Sequence, residues 1–370
     1  MCLGHDRRPV SHDARLSEYA RILVEDCVDV QAGWQVLVRS QPLGRPLVEE
    51  VLRAIARRRA YALLRLSFQA PFDTAWLKEA PLELVGQFPP IEAHALDSAD
   101  CSIAILAPEN TRAGSDVSPE RLGLLQQASR PHAEPYMADR KPWVGCQYPT
   151  DALAQEAGMT LEQFTEFLYG AVLIDWDALE QKMHGIAERF DQAEEVRIVG
   201  EGTDLAFRLG GRKGKVSGAS ANMPSGEVFY SPVEDSAEGV VHFGDYPACY
   251  IGHQVGGVRL RFEGGRIVEA SAESDEGFLL ETLDADEGAR RLGEFGIGCN
   301  PGIQRHIRNT LFDEKIEGTV HLAVGNGWSA IGGENKSAIH WDMVKDLRPG
   351  GQIYLDGELV QENGQWLTPA

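Results

Sequence analysis

Cysteine is scarce in this chain, and the six present, at positions 2, 27, 101, 146, 249 and 299, include no C-x-x-C pair. That excludes a zinc knuckle or a redox dithiol and predicts buried, free thiols. Positive charge is also short, since 35 Lys and Arg stand against 56 Asp and Glu for a net charge of −21. So acidic a surface repels phosphate backbones and anionic lipid heads, and neither nucleic acid nor membrane is expected as a partner. No apolar run approaches the roughly 18 residues of a membrane span. The start, Met-Cys-Leu-Gly-His-Asp-Arg-Arg-Pro, has charge where a signal peptide is apolar, so the expected setting is cytoplasmic. G-x-x-x-x-G-K-[ST] and G-x-S-x-G are both missing, which removes the backbone devices of phosphate cradling and serine hydrolysis.

What is present is an ordinary soluble globular composition, 43% hydrophobic with 39 Gly, in a chain of 370 residues. At about 150 residues per domain that suggests two domains. In the first half, Leu16, Tyr19, Ala20, Leu23 and Val24 have helical spacing and Val36-Leu37-Val38 reads as a strand. Pro46 to Ala60 is an amphipathic helix, and Leu63 to Leu66 and Ser102 to Leu106 read as buried strands. Alternating strand and helix predicts an α/β layer, mainly parallel. Thr160 to Phe190 is mostly helical, is read as connecting the halves, and carries Met183 as a core residue. The histidines at 5, 12, 94, 132 and 184 stand alone and read as surface or core groups.

After Asp191 the texture changes to short strands between Gly-rich turns, as in an antiparallel sheet or partial barrel. The division expected is therefore an α/β N-terminal domain, 1–192, and an α+β C-terminal domain, 193–370. Val258 to Phe262 and Arg266 to Ala270 flank Glu263-Gly264-Gly265 as a hairpin, and helices are expected around 276–295 and 301–310. Strands return at Thr319 to Val324, Ala338 to Val344, Gln352 to Leu355 and Leu359 to Gln361.

Candidate chemistry gathers in these return strands. In His340-Trp341-Asp342 the strand alternation sends imidazole and carboxylate to one side and the indole to the other, a geometry that suits one metal ion or a hydrogen-bonded surface pair. His321 is a polar residue inside an apolar strand, and a buried imidazole needs a partner or an ion. Glu227 follows a turn and Glu294 is read near the end of a helix; singly, each reads as solvated. Together the two Glu, two His and one Asp match a carboxylate-rich set for two divalent ions and a bridging water. Gly325-Asn326-Gly327-Trp328-Ser329-Ala330 fits a loose dinucleotide loop, but Ile331-Gly332-Gly333 follows where a helix must open, which argues against nicotinamide binding.

The run Ala221 to Phe229, then Arg291-Leu292-Gly293-Glu294, Asn309-Thr310-Leu311-Phe312-Asp313-Glu314 and His340-Trp341-Asp342, resembles in residues and order the M29 (thermophilic, aminopeptidase T) metallopeptidases. The likeness is densest from Gly200 to Trp366 and extends to Glu18 to Gly33 and Leu173 to Trp176. The resemblance implies two domains with a paired-metal site in the second, and Glu227, Glu294, His321, His340 and Asp342 at the ligand positions. It implies two divalent ions, zinc or cobalt with manganese as a third candidate, and hydrolysis of the N-terminal residue of short peptides. In that scheme Glu294 bridges the ions or assists proton transfer, and a bound water is brought toward a pKa of about 7.

An exopeptidase needs a closed end, so the first domain or a second subunit is expected to roof the site, with a homodimer as the default. The family carries a Tyr seven residues after the position of His321, where this chain has Trp328; indole only donates a hydrogen bond, so either Tyr230, Tyr246 or Tyr250 supplies a phenol or Trp328 walls the pocket. The rival implied by the same scaffold is a ring-opening dihydroxypyridine dioxygenase with a single Fe(II) on His321, His340 and Asp342. A non-catalytic reading keeps the ions as structural staples.

Overall fold

A computed structural model describes residues 13–69, 73–137 and 140–367; Cys2, His5, His12 and the charged start lie outside them. Two compact units emerge: residues 1–154 with 220–223, and 155–219 with 224–370. The helices Leu161–Val172 and Trp176–Phe190, expected to connect the halves, belong to the second unit.

The first unit holds a five-stranded parallel sheet in the order Tyr61–Leu66, Gln35–Ser40, Cys101–Leu106, Trp143–Gln147 and Ala221–Met223. Helix Arg45–Arg57, with Pro46 in its first turn, makes a crossover and buries Leu47, Val48, Val51 and Ile55. One expectation fails here. The strand Tyr61–Leu66 is not buried, for Leu63 is 56% and Leu66 54% exposed. It is the edge of the sheet, so an apolar run that reads as a central strand lies uncovered.

The second unit is antiparallel, as expected, and its sheets stay open rather than closing into a barrel. One has eight strands, one is the two-stranded ribbon Ala248–Tyr250 with His253–Val255, and the third runs His340–Asp346, Thr319–Gly325, Leu292–Gly298, Glu227–Tyr230 and Lys215–Ser217. The expected hairpin Val258–Glu263/Arg266–Ser271 turns at Gly264 and Gly265, at φ of +55° and +73°, values that glycine takes without strain.

Both helices expected after it need correction. The first stops at Leu283, and Leu292–Gly298 is a central strand; the second is absent until the single turn Thr310–Asp313. All seven residues of Leu292–Gly298 are buried, which erases the period-two signal, while Gly293, Gly296 and Gly298 oppose a helix. After Gly325 the chain makes only a 3-10 turn at Ser329–Ile331, so no helix opens there to receive a dinucleotide.

Cys101, Cys146 and Cys299 are buried and free as expected, Cys27 is buried, and Cys249 is half-buried. Met183 is wholly buried in the core.

Candidate metal centre

The register of the five-stranded sheet decides what each face carries. Glu294 lies opposite Ala323, which lies opposite Asp342; Gly296 faces His321; Gly298 faces Glu227; Gly325 faces His340. One face thus collects Glu227, Glu294, His321, His340 and Asp342, with Ala323, Gly296, Gly298 and Gly325 as the small residues between them. A Cβ on Gly296 would stand 2.0 Å from the His321 ring, so only glycine lets that imidazole lie flat over the neighbouring strand. On the opposite face Phe295, Ile297, Val320, Leu322, Trp341 and Met343 are buried in the core. Each such side chain stabilises the sheet by roughly 1.5–3 kcal/mol.

The polar groups converge. His321 Nε2 lies 3.2 Å from Glu294 Oε1 and 3.6 Å from Glu227 Oε2, while its Nδ1 is 3.0 Å from the Glu314 carbonyl. His340 Nε2 lies 3.2 Å from Glu294 Oε2 and 3.6 Å from Asp342 Oδ2, with Nδ1 2.8 Å from the Asn326 carbonyl. A carbonyl on Nδ1 fixes the ring and leaves Nε2 for the centre. Glu227 and Glu294 are buried, 6% and 5% exposed, so neither is the solvated carboxylate that each suggested singly.

Two tight groups of donor atoms result, Glu227–Glu314–His321 and Glu294–His340–Asp342, each within 4.8 Å. Glu314 was not among the expected ligands. It closes the run Asn309 to Glu314 that carries the family resemblance, and that was the available signal. Lys315 next to it, also unforeseen, is fully buried; its Nζ donates to Glu314 Oε1 and lies 3.4 Å from Glu227 Oε1.

The electrostatics are those of a carboxylate cluster short of cations. Burial raises Glu227 to about 7 against the pull of Lys315, and raises Asp342 to about 6 against the pull of His340. Burial also acts on Glu294, but hydrogen bonds to His321 and His340 outweigh it and hold Glu294 well below the usual carboxylate range. Burial likewise opposes charge on the two imidazoles, yet Glu294 and the surrounding carboxylates lift His321 to about 9 and His340 to about 10. The ring nitrogens that these carboxylates hold protonated are the ones a divalent ion would take in their place. Glu227 Oε2 is buried without a hydrogen-bond partner while lying beside His321 Nε2. Imidazoles fixed through their far nitrogens, with Nε2 turned toward buried carboxylates, fit a divalent ion of the zinc kind.

Trp328, at the position of the family tyrosine, is 44% exposed and stands edge-on to the His340 ring, centroids 5.3 Å apart. Its Nε1 donates to Glu294 Oε2. Tyr230 and Tyr246 supply no phenol to the centre: the first bonds the Ala187 carbonyl and Asp191, the second Asp346. Tyr250 stacks on Trp341 at 5.3 Å.

An open antiparallel sheet that gathers carboxylates and imidazoles on one buried face defines a metal-binding protein of the carboxylate–imidazole class. The family model described as thermophilic metalloprotease (M29) matches residues 12–366, and the chain belongs to that family. Aminopeptidase AmpS of Bacillus subtilis (strain 168) is 28% identical over 96% of this chain and 99% of its own length. The structure of wild-type AmpT from Thermus thermophilus superposes with a TM-score of 0.81 at 22% identity, covering 96% of this chain and 99% of that one. A 2,5-dihydroxypyridine dioxygenase from Pseudomonas putida KT2440 has a TM-score of 0.58 at 18% identity over 98% of this chain and 99% of its own, a likeness of fold alone.

Proposed function

We propose that the chain is a metal-dependent aminopeptidase that removes the N-terminal residue of short peptides. The observation that carries this reading is the convergence of Glu227, Glu294, Glu314, His321, His340 and Asp342 on one buried face, in a chain of the M29 family. Glu294, His340 and Asp342 would hold a divalent ion, for which zinc or cobalt is suited and manganese is the third candidate, and Glu227, Glu314 and His321 form a second set of oxygen and nitrogen donors beside it. Bound there, such an ion supplies Lewis acidity toward a peptide carbonyl and lowers the pKa of water toward about 7.

The chain's own groups do the rest. Glu294 meets His321 through one oxygen and His340 and Trp328 through the other, so it touches both donor sets. We assign it the transfer of a proton from the attacking water to the leaving amine, from its place between the two donor sets. Trp328 can donate but not accept, so it orients the Glu294 carboxylate and walls the pocket beside His340. The surrounding carboxylates attract the free α-amino group of the substrate, which favours chain ends over internal peptide bonds.

The iron reading receives less support. His321 groups with Glu227 and Glu314 rather than with His340 and Asp342, and three glutamates line the face where a two-histidine, one-carboxylate site needs none. Further parts of the proposal are a homodimer and a cytoplasmic setting. Buried free thiols suit a reducing compartment, and among the described residues no helix is long and apolar enough to cross a membrane. The test is release of p-nitroaniline from leucine p-nitroanilide, and of leucine from short peptides, by protein loaded with zinc, cobalt or manganese. Turnover is the expected result; its absence with all three metals rejects the activity, and oxygen uptake with dihydroxypyridine would favour the rival.

A further inference from the structure

Lys315 is a long, cationic side chain with no exposed surface, sitting inside the donor set. Its position is fixed from the backbone: its N–H donates to the Phe312 carbonyl at 3.0 Å and its carbonyl accepts from Asn300 N–H at 2.9 Å. Gly298 packs against this segment so closely that a Cβ there would lie 2.1 Å from the Ile316 carbonyl oxygen. The side chain therefore points inward from an immobile stretch, and its ammonium lies between Glu314 Oε1 and Glu227 Oε1. Those two carboxylates are two of the three ligands of the Glu227–Glu314–His321 group. A divalent ion at their meeting point would have to share both carboxylates with a buried like charge, and like charges at such separations repel strongly away from water. Among the described residues, the Glu294–His340–Asp342 group has no lysine or arginine as a hydrogen-bond or ion-pair partner.

We propose that Lys315 supplies the cation of the Glu227–Glu314–His321 group from within the chain, so that the centre takes a single divalent ion, at Glu294, His340 and Asp342. The two ions implied by the family resemblance become one ion and one ammonium. Lys315 is then a positioning residue that fixes Glu227 and Glu314 and keeps an ammonium tethered to the chain beside the metal, where an exchangeable ion would otherwise sit. This inference rests on the metallopeptidase reading.

The test counts ions without measuring activity. The full chain is equilibrated with excess zinc or manganese and freed of unbound metal by gel filtration. Ions per chain are then measured by mass spectrometry, and the manganese-loaded protein is examined by electron paramagnetic resonance. The unaltered chain should hold one ion and give an uncoupled six-line signal, and Lys315→Gln and Lys315→Met should take up a second and give an exchange-coupled spectrum. Two coupled ions in the unaltered chain would overturn the proposal, as would one ion in all three proteins, which would deny Lys315 the excluding role. No bound ion in any of them would instead reject the metallopeptidase reading beneath it. Should both variants fail to fold, the unaltered chain still decides, one uncoupled ion supporting the proposal and two coupled ions refuting it.

Discussion

The two faces of the sheet that carries Glu294, His321 and His340 are built from the same strands and hold opposite contents. On one, Phe295, Leu322 and Trp341 pack as an ordinary apolar core; on the other, at the alternate positions, Glu227, Glu294 and His321 are buried and His340 and Asp342 half-buried, with glycine and alanine between them. Hydrophobic burial accounts for the first face. Burial alone would make the second unstable, because a carboxylate taken out of water costs several kcal/mol unless a cation meets it. The strands are therefore held by one face so that the other can carry charges, and the metal reading explains what those charges are for.

The comparison breaks most sharply at Glu294. Glu294→Gln should lower the turnover of leucine p-nitroanilide by about 10²–10⁴-fold, as expected for a lost proton-transfer group, while circular dichroism shows the fold unchanged. Near-normal turnover would remove Glu294 from its assigned role. On the opposite face Leu322→Ala should cost about 2–5 kcal/mol in denaturant unfolding, because the buried site cannot collapse around the loss. Its metal content should match that of the unaltered chain; a parallel loss of metal would show that the faces are not separable.

Removing the metal sharpens the contrast through pH. His321 and His340, raised to about 9 and about 10, hold protons more tightly folded than unfolded, where histidine titrates near 6.5. The stability they contribute is complete below about pH 6.5 and is lost as pH rises through 9 and 10. Glu227 and Asp342, also raised, act in the same sense at lower pH, whereas depressed Glu294 contributes above the ordinary carboxylate range and loses its contribution in acid. Protein treated with chelator should thus melt at a lower temperature at about pH 9.5 than at about pH 7, and metal loading should reduce that slope, since a neutral His340 then binds the ion. A flat profile for the metal-free protein would deny the imidazole–carboxylate pairing. The smallest effect expected is at Trp328. Trp328→Phe removes one hydrogen bond to an ionised carboxylate and should reduce kcat about tenfold with little change in KM, whereas an effect on KM alone would make Trp328 a wall of the pocket and nothing more.

Legibility in the sequence followed the same division between faces. His340-Trp341-Asp342 and His321 could be read from alternation, because a polar residue within an apolar strand breaks a visible pattern. Glu227 and Glu294 could not: a lone Glu after a turn or beside Leu292 looks like surface, and only the resemblance brought them together. Leu292 to Phe295, the first part of the strand Leu292–Gly298, reads as the end of a helix because a strand buried on both faces has no period to show. Lys315 lay furthest from view, since a lysine following Asp313 and Glu314 has the pattern of a solvated charge run, and nothing local reports that the sheet buries it. The parallel order of the first sheet followed from strand–helix alternation, but the exposure of Leu63 and Leu66 depends on which strand ends the sheet, a property of the whole unit.

Crystals of zinc-loaded protein, with diffraction recorded on either side of the zinc absorption edge, would locate bound metal directly. The account predicts an anomalous peak within ligand distance of Glu294, His340 and Asp342, on the sheet face that also carries Glu227 and His321. A zinc-loaded crystal whose anomalous peaks all lie away from these side chains would contradict it.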